Sequence, residues 1–139
     1  MQDCYKDVER QVAEFGGEIV YGWEVWEWPS IMITAEFHAV WRSPAGELND
    51  VTIKPDGEQQ IIFIPDANRT YNARQFDNLR LALRDHILVH EFIEVCEQLY
   101  RLRDDNRISE RAYIVTDEHE RLKYRKDAIQ RELMKFPRA

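Results

Sequence analysis

The spacing of apolar residues changes once along this chain, and that change dictates a mixed fold. Between Glu18 and Ile64 the apolar positions are aromatic or β-branched, partly alternating, and broken by Pro and Gly, the pattern of short paired strands. After Asn78 they recur at three- and four-residue steps among many charges, the pattern of helices with one buried stripe. The expectation is an α+β fold: an N-terminal helix, an antiparallel sheet of about four strands, and a C-terminal antiparallel helical hairpin.

The N-terminal helix is marked at both ends. Asp3 is the expected N-cap, Tyr5, Val8, Val12 and Phe15 fall at helical spacing, and Gly16-Gly17 stops the run. Cys4 therefore sits in the first turn. Strands are expected over 18–28, ended by Pro29, and over 31–42 and 47–53, joined by Ser43-Pro44-Ala45-Gly46. Lys54-Pro55-Asp56-Gly57 reads as a further turn, followed by a buried strand over Ile61–Ile64 that ends at Pro65-Asp66. In the second half, Leu79, Leu83, Leu88, Phe92, Val95, Leu99 and Leu102 place one helix over 78–103. Ala112, Val115, Leu122, Ile129 and Leu133 place another over 109–134.

A chain of 139 residues suits one domain, 1–139, with a helix-plus-sheet half at 1–64, a helical half at 78–136 and a candidate hinge at 65–77. Net charge is −7, which disfavours direct contact with nucleic acid or with an anionic membrane surface; a protein or peptide is the expected substrate or partner. The start MQDCYKDVER has neither the basic residues nor the apolar run of a signal peptide, so the cytoplasm is the expected location. In that compartment Cys4 and Cys96 stay thiols. The helical hairpin is a candidate surface for self-association, and the chemistry below calls for no cofactor.

A thiol nucleophile needs a base within hydrogen-bond reach and a third group that fixes the base's tautomer, because the thiolate is what attacks. Cys4, His38 and Asp50 are the residues that can meet that demand. The first turn of a helix offers a thiolate the positive end of the macrodipole, and neighbouring amides can hold an oxyanion. Whether His38 meets Asp50 depends on register. A three- or five-residue connection puts His38 opposite Asp50 and Val40 opposite Leu48, whereas a four-residue loop puts His38 opposite Val51. Each residue also has a plain structural reading: a buried small thiol, a hydrogen-bonded core histidine, and a carboxylate tying down backbone amides at a sheet edge.

Two other groupings stand out. His86, His90 and Glu94 lie at four-residue steps, a spacing that stacks them on one helix face as a weak candidate for a divalent metal; an ordinary solvated face is the competing reading, and no metal site is favoured. The four tryptophans, Trp23, Trp26, Trp28 and Trp41, fill a core or, if one sheet face is uncovered, form a binding surface. Base stacking is disfavoured, since 18–28 contains Glu18, Glu24 and Glu27 and no Lys or Arg.

The order of Cys on an N-terminal helix, His in HAVW on a strand and Asp in LNDVT on the next strand resembles the papain-like superfamily, including its compact NlpC/P60 and transglutaminase-like members. The resemblance covers residues 1 to about 64. It implies hydrolysis of an amide, ester or isopeptide bond, with Cys4 as nucleophile, His38 as base and Asp50 as its orienting partner. The family's oxyanion donor precedes the nucleophile; here only Met1, Gln2 and Asp3 do, and Gln2 stands in that place with a different spacing. The stretches GWEVWEWP, AEFHAVWRSPAGELNDVT and DGEQQIIFIPD also look like a group of uncharacterised small bacterial and phage-type proteins. The sequence thus supports a thiol hydrolase or, alternatively, a non-catalytic acidic binder, such as a mobile-element-encoded inhibitor that occludes a basic site on a partner.

Overall fold

The computed structural model describes residues 3–52 and 60–137. In chain order it contains α1 (Cys4–Phe15), β1 (Glu18–Trp28), β2 (Met32–Arg42), β3 (Leu48–Asn49), β4 (Ile62–Pro65), β5 (Leu79–Ala82), α2 (Ile87–Asp105) and α3 (Asp117–Leu133). The fold is α+β, with a five-stranded sheet in the order β3-β2-β1-β4 and β5 paired to β2.

Two compact units are present: 1–26 with 35–78, and 27–34 with 79–139. In the first, Asp3 Oδ1 accepts from the amides of Tyr5 and Lys6 and so starts α1, and Gly16 ends it with φ of 76°. The apolar face of α1 contributes Tyr5 and Val8 to a core shared with Trp23, Phe37 and Ala39. Antiparallel pairing of β1 with β4 sets Gly22 opposite Pro65. A Cβ on Gly22 would come within 2.2 Å of the Ile64 carbonyl oxygen, so only glycine allows this approach.

The second unit buries Ile31, Met32, Val89, Phe92, Val95, Cys96, Leu99, Ile129 and Leu133 together, with Trp28 edge-on to Phe92. Helices α2 and α3 run antiparallel: Arg103 at the end of α2 donates to His119 at the start of α3, and Arg125 of α3 pairs with Glu91 near the start of α2. Thr116 caps α3 through the His119 amide.

Four expectations need correction. The helix expected over 78–103 begins only at Ile87, because Leu79–Ala82 form β5 and Leu83 N–H donates to the Ile31 carbonyl. Leu79, Leu81 and Leu83 alternate as well as they fit a helical stripe, and the available strand partner decides between the two. The strand around Ile61–Ile64 is not a buried one: Ile62 and Ile64 are exposed, while Phe63 on the other face turns toward His38. β3 is far shorter than 47–53, and α3 starts at Asp117, leaving Val115 exposed before it. The expected turn at Lys54–Gly57 lies outside the described residues.

Candidate functional site

The polar centre of the first unit is His38. It sits midway along β2 between Phe37 and Ala39, and it is buried. Its Nε2 lies 3.0 Å from Asp50 Oδ1 and its Nδ1 3.7 Å from Glu24 Oε2, and Cys4 is near enough to be among the groups that raise its pKa. Cys4, His38 and Asp50 are therefore brought together.

The hairpin achieves this in a register that differs from either expectation. Trp41 pairs with Asn49 and Arg42 with Leu48, and the Ser43 amide still donates to the Glu47 carbonyl. The connection is the three-residue loop Pro44-Ala45-Gly46, with Gly46 at φ of 90° as the left-handed residue such loops need. Its centre is one residue later than expected. Asp50 then comes just past the ladder, on the same face as His38 but diagonal to it, and diagonal neighbours on one face are within reach of each other's side chains. Asp50 Oδ1 also accepts from the Thr52 amide, 3.2 Å away, which holds the carboxylate in place for the ring.

Electrostatics follow from these contacts. Burial alone would lower the pKa of His38, but the hydrogen bond to Asp50 and the contact with Cys4 outweigh it and raise the value to about 9. The imidazolium is the favoured form at neutral pH. Nε2 faces Asp50 and Nδ1 faces Glu24.

Cys4 is half-buried and anchored by the residue after it. Tyr5 stacks on Tyr71 with ring centroids 3.6 Å apart, and its hydroxyl lies 3.1 Å from the Phe37 carbonyl oxygen and also on Gln75 Oε1. Gln75 Nε2 donates to the same Phe37 carbonyl at 2.9 Å. Tyr5 and Phe37 are the chain neighbours of Cys4 and His38, so this knot fixes the thiol's turn of helix against the strand that carries the base. Burial holds the Tyr5 hydroxyl firmly protonated.

The amides expected to be free at the start of α1 are already partnered. The amides of Tyr5 and Lys6 are committed to Asp3 Oδ1, and the Asp3 carboxyl group occupies the helix end that was expected to favour a thiolate. Gln2 lies outside the described residues. A cavity of about 480 Å³ opens beside Asp50, walled by Val40, Leu48, Ile61 and Phe63 and edged by the amide side chains of Asn49 and Gln60. It flanks the Asp50 side of the cluster.

The remaining candidates are dispersed. His86 is not on the face of α2: it caps the helix, with Nδ1 accepting from the Leu88 amide at 3.1 Å. His90 turns back to Asp85, 2.9 Å away, and Glu94 accepts from Gln98. The expected stack of three ligands does not form, and no group of three metal-ligating side chains occurs among the described residues. The tryptophans have different surroundings. Trp23 is buried and donates to Asp66, Trp28 packs in the second unit's core, Trp41 donates to the Gly16 carbonyl at 2.8 Å, and Trp26 is exposed.

Sequence reasoning missed Glu24 and Gln75. A single carboxyl group between Trp23 and Val25, in a strand otherwise suited to a core, is the signal that could have found the first; nothing local marks the second. Searches against protein-family models, curated proteins and solved structures return no match to this chain. No described helix is long and apolar enough to cross a membrane.

Proposed function

We propose that the protein is a thiol hydrolase that cleaves an amide, ester or isopeptide bond in a protein or peptide, with Cys4 as nucleophile, His38 as base and acid, and Asp50 as the group that orients His38. The observation that carries the reading is the convergence of the Cys4 thiol and Asp50 on the ring of a buried histidine. Burial of such a ring between an acid and a thiol is an expensive arrangement that an apolar core would not need.

In the proposed reaction the proton of the Cys4–His38 pair already rests on His38, giving a thiolate–imidazolium pair, and Cys4 Sγ forms a bond to the substrate carbonyl carbon as the carbonyl π electrons move to oxygen. Collapse of that tetrahedral species breaks the bond to the leaving nitrogen or oxygen, which takes the proton from His38. Water, deprotonated by His38, then attacks the thioester, and Cys4 leaves as the thiolate, which restores the pair. Asp50 keeps Nε2–H directed at itself and so holds the ring in one orientation throughout. The cavity beside Asp50 supplies an apolar wall and two neutral amides, suited to an uncharged peptide segment. Action in the cytoplasm fits free thiols at both cysteines.

The test is acyl-enzyme trapping. Incubation with an activated ester or peptide thioester should leave a mass increment on Cys4, retained in Cys96→Ser and lost in Cys4→Ala and His38→Ala with folding intact. An increment that survives His38→Ala, or none on Cys4 under any ester tried, contradicts the reading and turns attention to the acidic-binder alternative.

A further inference from the structure

The cavity beside Asp50 opens on the face of the sheet that carries His38. Val40 follows His38 by two residues along β2 and therefore lies on the same side. Leu48, Ile61 and Phe63 complete an apolar wall, and the carboxamides of Asn49 and Gln60 edge it. At about 480 Å³ the space is enough for one side chain with its flanking peptide groups. Leu48 is 46 % exposed, so apolar area is there for a ligand to cover.

Charge selects in both directions. An anion entering the cavity meets the Asp50 carboxylate. A cation has to compete with His38 and with the Thr52 amide, which share Asp50 Oδ1 at 3.0 and 3.2 Å. Carboxamides match the N–H and C=O groups of a peptide backbone and favour neither charge. Resting on the hydrolase reading, we infer that this cavity is a specificity subsite: it takes an uncharged apolar side chain of the substrate, about two residues from the bond that is cleaved, and Leu48 and Ile61 set the preference. The spacing follows from the strand. One same-face step, from His38 to Val40, is roughly 7 Å, and an extended peptide covers that length in two residues. Of the three residues of the proposed relay, Asp50 alone is among the described residues that wall the cavity, so the side chain it takes is not the one at the reacting carbonyl.

The test uses glycine depsipeptides with one cleavable ester, in which a single leucine is walked along either side of that ester. The kcat/KM is expected to rise about tenfold when leucine stands two residues from the ester on one side, and to fall back when lysine or glutamate takes its place. Leu48→Glu, at an exposed position, should transfer the preference to lysine; a retained leucine preference removes Leu48 from the subsite. A preference only at the residue adjoining the ester, or none at any position while the peptides are still cleaved, overturns the subsite and leaves the hydrolase reading standing. If no depsipeptide is cleaved and no acyl group is trapped on Cys4, the hydrolase reading falls, and binding of N-acetyl-leucine amide answers for the cavity. Saturable NMR shifts of the Val40, Leu48 and Ile61 methyl groups, at least about tenfold weaker in affinity for the lysine and glutamate amides, uphold an apolar-side-chain site. Equal responses to all three overturn it.

Discussion

The two cysteines lie in two differently built units, and the contrast separates packing from chemistry. In the second unit Cys96 is one apolar side chain among Val89, Phe92, Val95, Leu99 and Ile129, where a thiol behaves as a small hydrophobe. In the first unit Cys4 is half-buried, its helix turn is tied to β2 through Tyr5, Gln75 and the Phe37 carbonyl, and its neighbour is a histidine held between two acids. Burial in the one stabilises through excluded area; in the other it removes three polar groups from water, which on the proposed reading preorganises a proton relay. The same chain thus carries a thiol packed in an apolar core and one beside a buried histidine.

Changes in the first unit should alter chemistry most. Asp50→Asn keeps the shape but no longer holds Nε2–H, and it is expected to lower the rate of acyl transfer to Cys4, per folded molecule, by about 10³-fold, with some stability lost below pH 9 as the His38 imidazolium loses its carboxylate. A rate within threefold of the parent would remove Asp50 from the site. In the second unit the expectation reverses. Leu99→Ala empties a 2 %-exposed core position and should lower stability by about 3 kcal/mol in urea unfolding, with acylation per folded molecule unaltered.

An effect of similar size comes from pH. The folded pKa of His38, about 9, lies above its unfolded value, so the folded state binds the extra proton between the two. That contribution is complete below about pH 6.5 and fades as pH rises through 9, a loss on the order of 3 kcal/mol. Denaturant titrations at pH 6 and pH 9.5 should show it, and His38→Gln should flatten the difference.

What the sequence reveals and what it hides divides along physical lines. Local chemistry is legible: Asp3 before Cys4 marks a cap, Gly16-Gly17 a stop, and His38 on a strand and Asp50 just past the end of the next stand out. The hairpin's centre is not, because Ser43 could join either the loop or the ladder, and only the left-handed φ at Gly46 settles the phase. Leu79-Arg80-Leu81-Ala82-Leu83 satisfies two periods, and pairing with β2 decides between them. Glu24 is hidden for a different reason, since burial of a charged side chain depends on which distant groups meet it.

The most direct test of a poised thiol is its alkylation rate at pH 6 in Cys96→Ser, compared with an unstructured thiol and with the same protein carrying His38→Ala. The account predicts a rate at least about tenfold above the unstructured thiol, removed by His38→Ala. A rate equal to that of the unstructured thiol and indifferent to His38 would contradict it.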